Sequence, residues 1–350
     1  MPSNRDLIAV AIWFGVGLLV FFAADDRQVR GLAPPPPAVL NIAKIEASAI
    51  TEISVRCDGQ EVKLSRDGDL WRVPDPFNAR ADQTLVESLI EQTLSLKDAQ
   101  RRGTGSGSYP SLEVGEADYT IELRGSGEHL PLKVVVGKVE TFDRIFARFG
   151  DDPAVYSVTP NLRFLLEIGA GIDADRWVDR VVFEIPAEDE ITSIRMQSAD
   201  GSVVRVARVE EATTTPEGEP ATELLWKVLE PEEFLADKSV MRGMASNVRR
   251  LVGTTLLDPQ LLASSGLEDN PRNVQIEAKS GATVEVQFGD LTEVDGKKGI
   301  FVRRKGDDRL FLLPVWMENN FYKSPDELRD KPFPPPGEAA APPTPPAPGG

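Results

Sequence analysis

One cysteine, Cys57, and one histidine, His129, are all that the 350-residue chain holds of the two side chains most used in nucleophilic and metal chemistry. A single thiol excludes an intramolecular disulfide and leaves the redox compartment open. No local signature joins the two residues, and with one of each the Ser-His-Asp, Cys-His and His-rich zinc arrangements are all but excluded. Positive charge is scarce as well: 39 Lys and Arg face 56 Asp and Glu, a formal net charge of −17. The carboxylates are spread along the chain, so the surface repels phosphate backbones and anionic headgroups, whose binding rests on Lys and Arg displacing counterions. Nucleic acid is therefore not an expected partner. What survives is chemistry by Asp and Glu alone, as in carboxylate-only hydrolases.

Long apolar runs are absent but for one. "LIAVAIWFGVGLLVFFA", Leu7 to Ala23, carries no charge in a chain that is 27% charged. At 1.5 Å per residue it spans roughly 25 Å, short of a hydrocarbon core of about 30 Å by an amount that local thinning absorbs. Signal-peptide cleavage needs small residues one position apart, and Phe21 and Phe22 stand in the way. An uncleaved transmembrane helix over 7–24 is expected, after a cytoplasmic tail, 1–6. Arg5 before the span and Arg27 and Arg30 after it balance closely. The short tail with its one Arg resembles a signal-anchor start, which places the bulk of the chain outside the cytoplasm. Pro34 to Pro37 make residues 25–44 an extended spacer. The Pro- and Ala-rich end, 334–350, has no periodicity and is expected to be disordered.

Between spacer and tail the chain repeats itself. At an offset of 155, Trp71 falls on Trp226, Val73 on Val228, Ala81 and Asp82 on Ala236 and Asp237, and Leu96 on Leu251. Leu112 and Glu113 fall on Leu267 and Glu268, Ile121 and Glu122 on Ile276 and Glu277, and Ile145, Phe146 and Arg148 on Ile300, Phe301 and Arg303. Positions 71 to 158 hold fifteen identities in 88, where unrelated chains of this composition share roughly six. Before its Trp the second copy carries a polar stretch, "EEATTTPEGEPATE", expected as a surface loop. "DADRWVDRVVF" and "SPDELRDKPF" close the copies, which sets domains at 45–185 and 186–333.

Each copy has one coarse plan. "EISVRC" and "EVKLSR" alternate around Asp58-Gly59, a hairpin signal, and "DLWRV" adds a third strand. Asp82 and Asp237 stand as N-caps before an apolar helical face: Leu85, Val86, Leu89 and Ile90 in one copy, Val240, Met241, Met244, Val248 and Leu251 in the other. Strands then return, with "YTIELRG", "LKVVVGK", "IFARF" and "AVYSV" answered by "VQIEAKS", "VEVQFGD", "IFVRRK" and "RLFLL". Without βαβ alternation the fold class is α+β: two tandem, internally duplicated domains of antiparallel β-sheet with a packed helix, after one N-terminal transmembrane helix.

The strand-hairpin opening, the Trp followed by "PDPFNARAD" or "LEPEEFLAD", the helix, the Leu-Glu before a strand, and the "IFAR" or "IFVR" strand resemble the domain-of-unknown-function 4340 family over nearly all of 45–333. The resemblance implies a bacterial envelope protein with one N-terminal anchor in the cytoplasmic (inner) membrane. It also implies association with ABC-type transport systems of the gliding-motility kind, with a permease among the possible partners. It brings no catalytic residues.

Several residues invite a functional reading beside a plainer one. Trp71 and Trp226 could stack on the sugars of an envelope polysaccharide, yet their alternation is that of core residues. Asp82, Asp237, Glu113 and Glu268 could bind a hard cation or act as acid and base, and capping already explains the aspartates. Asp173 and Asp175 in "GIDADRW" lack the rest of a calcium loop. Arg148 and Arg303 could grip an anion, but a solvent-facing strand position with a cross-strand acidic partner explains them. "RRGTGSGSYP" at 101–110 lacks the Gly-Lys-Ser/Thr ending of a phosphate loop and is expected to be flexible. No catalytic residue, metal ligand or cofactor is assigned. The leading expectation is a non-catalytic, single-pass envelope protein serving as an accessory of a transport or motility assembly; a cell-wall polysaccharide-binding module is the alternative.

Overall fold

The computed structural model describes residues 41–329 apart from 76, 170, 215–219 and 269–271. The expected tail 1–6, the expected membrane helix 7–24, most of the spacer and the final 334–350 lie outside the described residues. Among the described residues no helix is long and apolar enough to cross a membrane. The chain divides into two compact units between Asp179 and Arg180.

In the first unit β1 (Ile50–Cys57), β2 (Gln60–Asp67), β3 (Leu70–Val73) and β4 (Ala79–Arg80) form a meander, followed by helix α1 (Gln83–Leu94). β5 (Lys97–Thr104), β6 (Tyr119–Gly125), β7 (Leu132–Thr141), β8 (Arg144–Phe149) and β9 (Ala154–Thr159) complete one nine-stranded sheet of order β4-β3-β2-β1-β6-β7-β8-β9-β5. Asp58 and Gly59 turn the first hairpin at φ 50° and 75°, as a two-residue primed turn requires. Alternation then sets the faces, so Ile53, Val55, Val62 and Leu64 are all buried, each worth about 1.5–3 kcal/mol against exposure. α1 buries Val86, Leu89 and Ile90.

The second unit opens with β10 (Val181–Glu184), then β11 (Ile191–Gln197), β12 (Val203–Thr214), β13 (Pro220–Glu230), β14 (Phe234–Leu235) and helix α2 (Lys238–Asn247). After it come β15 (Arg250–Val252), β16 (Thr255–Leu257), β17 (Asn273–Ala278), β18 (Thr283–Val294), β19 (Lys297–Arg304) and β20 (Leu310–Leu313). The order β14-β13-β12-β11-β17-β18-β19-β20-β16 reproduces the first sheet strand for strand. The fold is thus two mostly β, antiparallel, α+β units in tandem. β10, which the sequence places at the end of the first domain, pairs with β15 of the second unit.

Each copy is closed by its own last segment. A short helix, Ala174–Trp177, ends on Trp177, whose carbonyl accepts from the Asp82 N–H at 2.7 Å; in the second copy Pro325–Leu328 ends on Leu328, whose carbonyl accepts from the Asp237 N–H at 2.9 Å. Trp177 and Leu328 are both fully buried.

The structure departs from the sequence reading in three further places in the fold. The polar stretch before Trp226 is not a loop: β12 and β13 pair from Val206↔Val228 out to Thr214↔Pro220, so the extra residues lengthen a hairpin. The stretch 101–110 is not a flexible loop either: its start lies in β5, which pairs with β9, and helical turns follow at 106–112. Third, the 155-residue offset holds for β3, β4, α1, β8 and β9 but slips between them. Ile53 pairs with Leu123 and Ile194 pairs with Ile276, so the counterpart of Leu123 is Ile276 and that of Ile121 is Val274. Val134 and Phe149 match Val286 and Arg304, an offset of 152 for β7. The second copy is shorter before β18 and longer in the β18–β19 hairpin, and the differences cancel.

Candidate functional site

In both units the strand that carries the repeated tryptophan faces the helix that follows it, and a cleft lies between them. In the first unit the cleft, about 630 Å³, is bounded by Trp71 and by Ile90 and Leu94 of α1. In the second it is about 410 Å³, bounded by Trp226, by Ala245 of α2 and by Arg249 just beyond that helix. Cross-strand pairing places Arg66 opposite Trp71 and Arg208 opposite Trp226, and each guanidinium lies over its indole, at 6.0 and 5.1 Å from the ring centroid. This paired Arg-Trp contact was invisible to a fixed offset, because β2 and β12 lie 142 residues apart while β3 and β13 lie 155 apart.

The linings differ in charge. Asp69, Glu87 and Glu91 outnumber Arg66 in the first cleft; Arg208, Lys238, Arg242 and Arg249 outnumber Glu223 in the second. At the helix positions the exchange is direct, Glu87 giving way to Arg242 and Leu94 to Arg249 at the same 155-residue step. Gln83 gives way to Lys238, and this changes the backbone. Gln83 Oε1 accepts from the Trp71 N–H at 2.8 Å while its Nε2 donates to the Trp71 and Ala81 carbonyls at 3.0 and 2.6 Å. An ammonium accepts nothing, and Lys238 turns instead to Glu223 at 2.7 Å.

The residues singled out from sequence do not converge on a reaction centre. Asp82 accepts from the Leu85 N–H at 3.0 Å and Asp237 from the Val240 N–H at 2.8 Å, so both are N-caps. Glu113 sits at φ 55° and pairs with Arg163 at 2.9 Å. Its structural counterpart is Gly266 at φ 70°, not Glu268: a Cβ on Gly137 would strike the Leu112 carbonyl and Val114, and one on Gly289 would strike the Ser265 carbonyl and Leu267. The paired carboxylates 113 and 268 therefore dissolve. Arg148 donates to the Val114 carbonyl at 3.3 Å and stacks on Tyr109, and Arg303 donates to Gln287 at 2.8 Å. Neither has the expected acidic partner among the described residues. Asp173 caps a short helix through the Asp175 N–H.

Cys57 ends β1 beside the Tyr119 end of β6, whereas His129 follows the other end of that strand, so the two are not brought together. Burial, with Asp118 adding to it, pushes the Cys57 thiol above its ordinary range. Burial also raises the Tyr322 phenol. Asp307 goes the other way: burial would raise it, but hydrogen bonds from the Arg309 side chain and backbone, together with that charge, hold it below the usual carboxylate range. Among the described residues no three His, Cys, Asp or Glu side chains are grouped to hold a metal ion.

Two antiparallel sheets of one strand order, each with a capped helix and a tryptophan-bounded cleft, define a tandem α+β repeat protein. The chain belongs to the family described as Domain of unknown function (DUF4340), whose model matches residues 71–224 and 226–335. The two matches begin at Trp71 and Trp226, the same step that relates the copies. No curated protein and no solved structure matches the chain.

Proposed function

We propose that this is a non-catalytic, membrane-anchored envelope protein whose two repeat units form binding surfaces for protein partners, as an accessory of an ABC-type transport or motility assembly. One observation carries the reading: an open cleft between the tryptophan strand and the helix that follows it recurs in both units. Leu7 to Ala23 supplies the anchor to the cytoplasmic membrane, with the bulk of the chain extracytoplasmic. The polysaccharide alternative is less favoured, because Trp71 is buried and the half-buried Trp226 already carries Arg208 over its ring. The test is purification of the tagged protein from membranes in mild detergent, with the co-purifying chains identified by mass spectrometry. Recovery with a permease or ATPase is expected, and recovery alone would overturn the accessory role.

A further inference from the structure

The second cleft has an open backbone edge as well as one arginine, Arg242, without a carboxylate partner among the described residues. β14 covers β13 only at Lys227 and Val228, so from Pro220 to Leu225 one side of β13 pairs with β12 and the other meets no strand among the described residues. The Trp226 carbonyl accepts from the Ala236 N–H, which turns the backbone of Trp226 outward. Alternation turns that of Leu224 outward too. In the first unit Gln83 closes the equivalent N–H. In the second, Lys238 cannot, and no acceptor for the Trp226 N–H is present among the described residues.

Charge complements this edge. In a chain of net charge −17, four cations and one carboxylate line this cleft. Lys238 pairs with Glu223, Arg208 pairs with Glu190, and Arg249 donates through Nη1 to the Pro186 and Asp189 carbonyls, but Arg242 has no carboxylate partner among the described residues. A second hollow of about 390 Å³ shares Leu225, Trp226 and Lys238 with the first and has room for alternate side chains of an added strand. Exposed Leu224 and Leu235 flank the edge.

We propose that the second-unit cleft receives an extended acidic peptide segment of a partner protein, which adds a strand to the outer edge of β13 and presents its carboxylates to Arg242 and Arg249. A peptide is favoured over an anionic polymer because the edge calls for alternating carbonyl and N–H groups, which a polysaccharide or polyphosphate lacks. The first cleft, acid-lined and with its edge closed by Gln83, does not take this ligand. The proposal deepens the protein-binding reading above and rests on it only for the premise that these units bind protein. It can fail while co-purification from membranes succeeds, and the reverse.

Full-length protein in mild detergent is titrated with a fluorescein-labelled peptide of alternating Glu and Val, followed by anisotropy. Saturable binding that weakens with salt is expected. Arg242→Glu should weaken it at least about fivefold, as should Leu224→Pro, which removes an outward N–H and leaves the β12 ladder intact. Glu87→Lys in the first unit should change nothing. If Leu224→Pro does not fold, the same peptide N-methylated along its backbone makes the same test, and should bind at least about fivefold more weakly. Absence of saturable binding overturns the proposal, as does binding indifferent to both Arg242→Glu and the edge block. A sulfated polysaccharide that competes fully, with Leu224→Pro without effect, would reassign the cleft to polyanions.

Discussion

The two clefts share a frame and differ in lining. The tryptophan, the arginine over it, the capping aspartate and the apolar helix face recur in both. Exposed Glu87 becomes Arg242, and an exposed charge usually shifts stability by less than about 0.5 kcal/mol, so that exchange was free. Half-buried Gln83, bonded to the Trp71 backbone, becomes Lys238, and there the copies differ in structure as well as in charge.

That contrast can be broken most strongly at the closing residues. Trp177→Ala removes a fully buried indole that donates to the Gly171 carbonyl at 3.0 Å, and should cost about 3–5 kcal/mol; Leu328→Ala should cost about 2–5. Urea unfolding measures both, and losses under about 1 kcal/mol would show that the closing segments are not part of the repeated frame.

The next effect lies at Gln83. Gln83→Lys imports the second unit's residue and strips the Trp71 N–H of its acceptor, for a loss of about 1–3 kcal/mol. Lys238→Gln should stay within about 1 kcal/mol, because it sacrifices only an exposed ion pair. Equal losses at the two positions would erase the distinction between a closed edge and an open one.

Smaller still, Asp82→Ala and Asp237→Ala should each cost about 1 kcal/mol, with Asn restoring most of it. Unequal losses in thermal unfolding would mean that one cap carries more than its helix. The slightest effect depends on pH. The folded Asp307 carboxyl lies below its unfolded value, so its contribution is present above the unfolded range near pH 4 and is lost as pH falls through the depressed folded value. Asp307→Asn should therefore be less stable than the parent at neutral pH, with the gap closing below about pH 4. A constant gap across a pH series of melts would remove this assignment.

What the sequence disclosed was what is local or periodic. The Asp58-Gly59 hairpin, the two N-caps and the apolar stripe of α1 each declare themselves within a few residues, and the strand runs alternate plainly. β5 stayed hidden because "KDAQRRGT" has no large apolar residue to alternate, and its pairing with β9 depends on residues fifty or more positions away. Single-offset comparison equated Glu113 with Glu268 and Ile121 with Ile276, because a shortening before β18 and a lengthening after it cancel and conceal the slip. The clefts were illegible for a related reason. Arg66 and Trp71 lie in separate strands, and only cross-strand register brings the charge over the ring.

The hydrogen bonds from Asp82 to Trp177 and from Asp237 to Leu328 also bear on synthesis. A copy's helix receives its final stitch from residues made more than ninety positions later, yet always from within the same copy. The earlier copy can thus close its own frame before its successor arrives, and appending a second copy behind the first required neither of these bonds to be cut.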